Sequence, residues 1–134
     1  MRFASTWLAR GRARLMPSTT TYRQGQVVVV SVPFSDQSGS KPRPALIVSR
    51  EAFHRALPDV IICPISSQPR YYARPGPGDL PLRHWKAVGL RYPSTIRLSN
   101  ILAVEKRLIR RALGRLVAED LDTTRARLRE AFGL

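Results

Sequence analysis

The sequence is poor in cysteine, histidine and acidic residues, and each shortage narrows the possible functions. Its 134 residues include one cysteine, two histidines and nine acidic residues. Cys63 alone cannot form an internal disulfide, which favours a reducing compartment, and it cannot supply a zinc site built from several cysteines. No apolar run reaches the roughly 18 residues that a transmembrane helix needs, so we expect a cytoplasmic protein without a membrane partner.

The few acidic residues and histidines are also scattered along the chain. A metal-dependent nuclease holds its ion with clustered carboxylates or histidines, and here His54 and His84 stand alone, without an HxH or HExxH spacing. No glycine-rich phosphate loop follows a strand pattern, and no GxSxG motif is present. We therefore expect no metal and no cofactor. We interpret Cys63 as a buried core thiol, because it lies in an apolar run, and His54 as part of a surface turn.

Basic residues dominate what is present. Twenty-three lysine and arginine residues against nine acidic residues give a net charge of +14, and only Lys41, Lys86 and Lys106 are lysines. A small domain with this charge is expected to bind a polyanion. A nucleic acid is the preferred candidate, and an acidic protein is the next. Arginine favours forked contacts with phosphate or carboxylate groups. A high genomic GC content would also enrich arginine over lysine and accounts for part of this bias.

Residues 1–24 differ in composition from the rest of the chain. They contain five arginines and no acidic residue, and the linker-like stretch Pro17–Thr21 lies near their end. Their apolar run is too short for a secretory signal. We expect a disordered basic tail and linker over residues 1–24 and one folded domain over residues 25–134.

Short β-branched and apolar runs between turn signals predict a chain made mainly of β-strands. The stretch from Ser66 to Asp79 contains three prolines and two glycines and is expected to be irregular. The predicted strands are Val27–Val30, Val32–Phe34, Ala45–Val48, Val60–Ile65, Leu82–Leu90, Thr95–Leu98, Ile101–Val104 and Leu108–Ile109.

The last part of the chain changes its apolar period. Val117, Leu121, Thr124, Leu128 and Phe132 follow one another at three or four residues, which predicts one C-terminal helix. Many short strands followed by a single helix favour a mainly β fold, a small antiparallel β-barrel with the C-terminal helix closing or flanking it.

One reaction suits a chain with many guanidinium groups and little acid–base machinery. RNA carries its own nucleophile, the 2′-OH beside every phosphodiester. An enzyme that orients this hydroxyl and stabilises the charge developing on phosphorus can cleave RNA without a metal. The products would be a 2′,3′-cyclic phosphate and a free 5′-OH, and DNA would survive because it lacks the attacking group.

Several segments, in order, resemble the MazF/PemK family of toxin endoribonucleases. The most specific one reads KPRPALIVS at Lys41–Ser49 and follows the strand pattern Gly25–Val30. The other similar segments are Cys63–Gln68, Gly89–Ile101 and Gly114–Leu116. The resemblance implies a small SH3-like, PemK/CcdB-type antiparallel β-barrel. It also implies a sequence-selective endoribonuclease that cleaves single-stranded RNA and acts as the toxin of a type II toxin–antitoxin pair.

The resemblance also implies which residues form the active site. Arg43 matches the arginine that the family uses there, Ser66 matches the small hydroxyl residue beside it, and Arg97 matches a second basic position of the PemK branch. Ser99 matches a position where that branch has an aspartate, so the acid is missing from this sequence. Since arginine stays protonated, we assign Arg43 to gripping the scissile phosphate rather than to removing a proton.

The segment Arg70–Arg74 combines arginines with two tyrosines, which could hold the RNA backbone and stack unpaired bases. An ordinary hairpin tip is the alternative interpretation of these residues. The RNA-binding residues expected from this segment and from the family motifs are Lys41, Ser67, Gln68, Arg70, Tyr71, Tyr72, Arg74 and Ser99.

The resemblance implies two protein partners beside the RNA. These are a second copy of the chain in a homodimer and a small acidic antitoxin that covers the site. Two alternatives stay open. The CcdB branch shares the barrel and inhibits gyrase by protein contact, and the missing acid at Ser99 would suit a catalytically impaired nucleic-acid-binding relative.

Overall fold

The computed structural model describes residues 21–31 and 41–134. Most of the expected tail, the predicted strand Val32–Phe34 and most of the loop that follows it lie outside the described residues. Within the described part, the strands are β1 (Gln26–Ser31), β2 (Pro42–Ile47), β3 (Asp59–Ser66), β4 (Asp79–Pro81), β5 (Thr95–Arg97), β6 (Leu102–Glu105) and β7 (Ile109–Arg115). The helices are α1 (Glu51–Ala56), α2 (Pro69–Ala73) and α3 (Ala118–Phe132), and 3-10 turns lie at Lys86–Val88, Leu98–Asn100 and Lys106–Leu108.

All seven strands belong to one antiparallel sheet. Its order is β4-β5-β3-β2-β1-β7, and β6 pairs with the first half of β3. The two ends of this order, β4 and β7, share no ladder in the described residues, so the sheet is a barrel-like sheet that remains open. The predicted mainly β fold with a C-terminal helix is confirmed.

The sheet is buried on both faces around β1. Val27 belongs to a first core cluster with Leu46, Cys63 and Ile96, whereas Val28 belongs to a second cluster on the opposite face. A strand covered on both faces needs apolar residues at every position, which explains the unbroken valine run of β1. The helix α3 covers the first cluster, where its Leu121 is buried.

A close contact between β7 and the 3-10 turn at Lys86–Val88 holds the segment that leads to β5. A Cβ atom at Gly114 would lie 3.0 Å from the carbonyl oxygen of Val88, so a larger residue would push the two backbones apart by a few tenths of an ångström. Gly89 ends the turn with a left-handed φ of 90°. From the other side, the carboxylate of Asp120 on α3 accepts hydrogen bonds from the backbone N–H groups of Arg83 and His84.

Two predicted elements are wrong. Leu82–Leu90 is a turn with a 3-10 segment rather than a strand, because its apolar residues Leu82 and Val88 anchor a folded turn to the core instead of alternating along an extended chain. The stretch Ser66–Asp79, expected to be irregular, contains the short helix α2, which begins with Pro69 at a position where proline costs no hydrogen bond.

His54 does not lie in a surface turn. It is 3% exposed within the unpredicted helix α1. Its Nε2 lies 2.6 Å from the hydroxyl of Ser49, and its Nδ1 lies 2.8 Å from the carbonyl oxygen of Tyr22. The imidazole therefore connects the segment before β1 to the core, which is a structural role that its neighbours in sequence do not reveal.

Candidate active site

An open groove of about 850 Å³ is lined by residues of β2, the end of β3, β5 and β7 and by the loop from Gly89 to Ser94. Four arginines line it, and no acidic side chain does so in the described part of the chain. Its main lining residues are Arg43, Pro44, Ser66, Ser67, Gln68, Tyr71, Arg91, Tyr92, Ser94, Arg97, Asn100 and Arg111. The groove is therefore positively charged and suited to an extended anion.

Arg43 lies at the exposed start of β2, opposite Val30 of β1. The flanking Pro42 and Pro44 cannot donate backbone hydrogen bonds, and they are tolerated because the ladder between β2 and β3 begins only at Ala45. Proline on both sides restricts the backbone of Arg43. The strand thus presents this guanidinium to the groove from a stiff segment.

Ser66 is the last residue of β3 and is half-buried beside the groove. Its hydroxyl oxygen accepts a hydrogen bond of 3.2 Å from the backbone N–H of Gln68. That bond orients the oxygen while the O–H group can still donate. Ser67 and Gln68 follow directly and are exposed along the same wall.

Arg97, at the end of β5, packs between a carboxylate and an aromatic ring. Its Nε lies 2.6 Å from Oδ1 of Asp79, and its Cζ lies 3.8 Å from the ring centroid of Tyr71. The Arg97–Asp79 contact is held by charge rather than by a well-aligned hydrogen bond. Register explains the contact, since Asp79 of β4 is the cross-strand partner of Arg97.

Tyr71 is positioned by two arginines. Nη2 of Arg70 donates a hydrogen bond of 2.9 Å to its hydroxyl, and this bond, with a smaller contribution from Arg97, holds the pKa of Tyr71 below its usual value. The guanidinium of Arg97 occupies a face of the ring. The ring of Tyr71 therefore supports Arg97, which reduces the surface that it can offer to a base.

The structure brings together Arg43, Ser66 and Arg97, the three residues expected to be catalytic, and it also brings Ser67, Gln68 and Tyr71 to the groove. Tyr72 points its hydroxyl to the carbonyl oxygen of Leu82 at 3.1 Å and is half-buried there. The other expected RNA-binding residues, none of which lines the groove, are Lys41, Arg70, Arg74 and Ser99.

The structure adds three groove residues that are not among the expected RNA-binding residues. Tyr92 is 61% exposed and lies on the groove wall beside Arg91. Pro93 follows Tyr92, and the buried hydroxyl of Ser94 donates a hydrogen bond of 2.7 Å to the carbonyl oxygen of Tyr92, so this loop is firmly held. Arg111, on β7, is the third added residue of the groove wall. The sequence signal for Arg91 and Tyr92 was their position within the family-like segment Gly89–Ile101, and the signal for Arg111 was the basic pair that it forms with Arg110.

The described residues contain no group of three or more histidine, cysteine or acidic side chains that could hold a metal ion. Cys63 is fully buried, and burial raises the pKa of its thiol to about 12, so it has little thiolate character at neutral pH. Among the described helices, none has the length and apolar character to cross a membrane.

The fold and the groove are those of a small, mainly β protein with an arginine-lined groove. Comparison with known proteins shows the family to which the chain belongs. The sequence profile of the PemK-like, MazF-like toxins of type II toxin–antitoxin systems matches residues 23–132. The chain therefore belongs to this family, whose members are generally endoribonucleases. No curated protein sequence matches the chain.

Solved structures agree with this fold. A MazE–MazF crystal structure from Deinococcus radiodurans matches with a TM-score of 0.68 and 22% identity, covering 86% of this chain and 99% of that chain. A mycobacterial endoribonuclease in complex with its cognate antitoxin matches with a TM-score of 0.66 and 21% identity, covering 87% and 97%. The toxin MazF-mt6 of Mycobacterium tuberculosis matches with a TM-score of 0.63 and 24% identity, covering 81% and 97%.

Proposed function

We propose that the protein is a metal-independent, sequence-selective endoribonuclease that cleaves single-stranded RNA and acts as the toxin of a type II toxin–antitoxin pair. The observation that carries the proposal is the convergence of Arg43, Ser66 and Arg97, from three different strands, on one groove whose charged lining residues, among those described, are all arginines. A groove of this kind attracts a phosphate backbone and stabilises negative charge that develops on phosphorus.

In this reaction the substrate's own 2′-oxygen attacks the adjacent phosphorus, and the bond from phosphorus to the 5′-oxygen breaks. The guanidinium of Arg43 stabilises the charge on the non-bridging oxygens, and Ser66 donates a hydrogen bond to the same phosphate. Arg97 provides a second positive charge. The 2′-hydroxyl loses a proton and the 5′-oxygen gains one, both by exchange with water, which leaves a 2′,3′-cyclic phosphate and a 5′-OH.

Two protein partners belong to this proposal. An acidic antitoxin fits the charge of the groove and would compete with RNA for the same arginines. Two of the similar solved structures are a MazE–MazF complex and an endoribonuclease with its cognate antitoxin, which supports a partner of this kind. The second protein partner is another copy of the chain, in a homodimer that lengthens the RNA-binding surface.

The direct test uses the purified chain and mixed-sequence single-stranded RNA in EDTA. We expect cleavage at a short recurring sequence, with 2′,3′-cyclic phosphate and 5′-OH ends identified by end-specific ligation and mass spectrometry. Cleavage that requires added magnesium, or ends with a 5′-phosphate, would contradict the proposal. Tight RNA binding without any cleavage would instead indicate an impaired relative.

Tyr92 is expected to stack an unpaired base of the bound RNA. Its ring is exposed on the groove wall, and Arg91 beside it can contact the neighbouring phosphate. We expect Tyr92→Ala to weaken RNA binding by about 1–3 kcal/mol, the usual contribution of one stacked base, and Tyr92→Phe to retain most of the affinity. Fluorescence anisotropy with a non-cleavable 2′-deoxy oligonucleotide measures both. Equal affinity of Tyr92→Ala and the unchanged protein would exclude the stacking role.

A further inference from the structure

None of the described residues that line the groove is a carboxylate, yet one carboxylate lies directly behind Arg97. Asp79 is the cross-strand partner of Arg97, and its Oδ1 lies 2.6 Å from Nε of that arginine. The side chain of Asp79 is 9% exposed and that of Arg97 is 21% exposed, so water screens this pair less than a surface pair. Ser99, two residues after Arg97, brings no charge to this region.

The backbone holds Asp79 in a fixed position. Its Oδ2 accepts a hydrogen bond of 2.9 Å from the N–H of Gly76, and its own N–H donates to the carbonyl oxygen of Gly76 at 3.0 Å. Its carbonyl oxygen accepts from Nη2 of Arg127 on α3 at 3.2 Å. The carboxylate therefore has one oxygen committed to a turn and the other directed to Arg97.

A close backbone approach brings the two strands to this distance. A Cβ atom at Gly78 would lie 2.8 Å from Cβ of Ser99, and the N–H of Leu98 donates to the carbonyl oxygen of Gly78 at 2.8 Å. The approach requires a glycine at position 78, and the small side chain at position 99 fits against it. Gly78 and Ser99 together permit the contact between Asp79 and Arg97.

We propose that Asp79 is a positioning residue that fixes the guanidinium of Arg97 for contact with the phosphate of the bound RNA. This inference rests on the proposed function. Asp79 holds the Nε end of the guanidinium, and Tyr71 covers a face at 3.8 Å. Arginine has five N–H donors, so the two terminal nitrogen atoms keep donors for the substrate. A guanidinium held on its Nε edge and against a ring loses little freedom when the phosphate arrives.

The same Asp79–Arg97 contact could serve only to stabilise the fold. The test therefore measures kcat and KM separately, because loss of a purely stabilising ion pair would not lower kcat selectively. We expect Asp79→Asn to lower kcat for RNA cleavage by about 10- to 100-fold, as misplacement of a catalytic group does, with KM changed by less than about twofold. Asp79→Glu, which keeps the charge, is expected to recover part of this loss. Asp122→Asn is the matched control, because Asp122 forms an exposed ion pair with Arg125 outside the groove.

The decisive comparison is a double-mutant cycle with Arg97→Ala. If Asp79 acts through Arg97, adding Asp79→Asn to Arg97→Ala causes no further loss of kcat. Losses that multiply, or an Asp79→Asn variant with unchanged kcat, would overturn the proposal.

Nuclear magnetic resonance of the unchanged protein keeps the proposal testable if Asp79→Asn fails to fold. Because Nε of Arg97 is buried against Asp79, its Nε–Hε signal is expected to exchange with water much more slowly than that of the exposed Arg55, and equally fast exchange would overturn the proposal. This measurement needs no RNA cleavage. An inactive protein with a protected Arg97 signal would therefore contradict the proposed function while leaving the Asp79–Arg97 contact supported.

Discussion

RNA that carries a single 2′-deoxy sugar on the 5′ side of the cleaved phosphate is expected to resist the protein. In the proposed reaction the attacking oxygen belongs to the substrate, and no described groove residue is a carboxylate, a histidine or a cysteine that could replace it. A neighbouring hydroxyl acts with an effective concentration of roughly 10⁵ M or more, so its removal should slow cleavage by at least about 10³-fold. Denaturing gel electrophoresis of end-labelled oligonucleotides in EDTA measures this directly.

Binding of the modified strand should be nearly unchanged. In the proposed complex the arginines of the groove contact phosphates, and one missing hydroxyl would remove none of these contacts. The modified strand is therefore expected to act as a competitive inhibitor with an affinity close to that of the substrate. As a control, a deoxy sugar two nucleotides away from the cut should leave cleavage almost intact. Cleavage of the modified strand at the same phosphate would mean that water or a protein group supplies the nucleophile.

The strands of the core were predictable because their sequence signals are local. The valine run of β1 and the apolar run of β3 are continuous, as strands buried on both faces require, and both form where expected. The helix α3 followed from its apolar period for the same reason. The short helices α1 and α2 have only six and five residues, which is too short for a period to be recognised.

The candidate site was predictable only in part. Arg43, Ser66 and Arg97 lie in family-like segments, and neighbouring strands then bring them to one groove. The role of Tyr71 could not be predicted, because it depends on Arg97, which comes 26 positions later and reaches the ring only through the pairing of β5 with β3 and β4. Asp79 lies in a segment read as irregular and meets Arg97 only after β4 and β5 pair.

Replacement of Arg43 by alanine is expected to cause the largest loss among single substitutions. Removing one donor that stabilises an oxyanion in other enzymes lowers kcat by about 10²- to 10³-fold, and we expect an effect of this size here. Arg43→Lys should recover only part of it, because an ammonium group keeps the charge but cannot make the forked contact of a guanidinium with two phosphate oxygens. Single-turnover cleavage with saturating protein separates this chemical step from binding.

The fold should tolerate this substitution. Arg43 is exposed at the end of β2, and exposed substitutions usually change the free energy of unfolding by less than about 0.5 kcal/mol. Thermal unfolding of Arg43→Ala and of the unchanged protein is therefore expected to coincide closely. Arg55→Ala is the matched control, since Arg55 is an exposed arginine on α1 outside the groove and its removal changes the net charge equally.

The pattern of kinetic constants then decides what Arg43 does. If its guanidinium binds ground state and transition state equally, alanine raises KM and leaves kcat unchanged. If it stabilises charge that exists only during the attack on phosphorus, kcat falls and KM changes little. The rigid placement of Arg43 between Pro42 and Pro44 supports the second outcome, because a donor fixed in advance needs no reorganisation when the charge develops. An unchanged kcat with a raised KM would reduce Arg43 to a binding residue and transfer the catalytic role to Arg97.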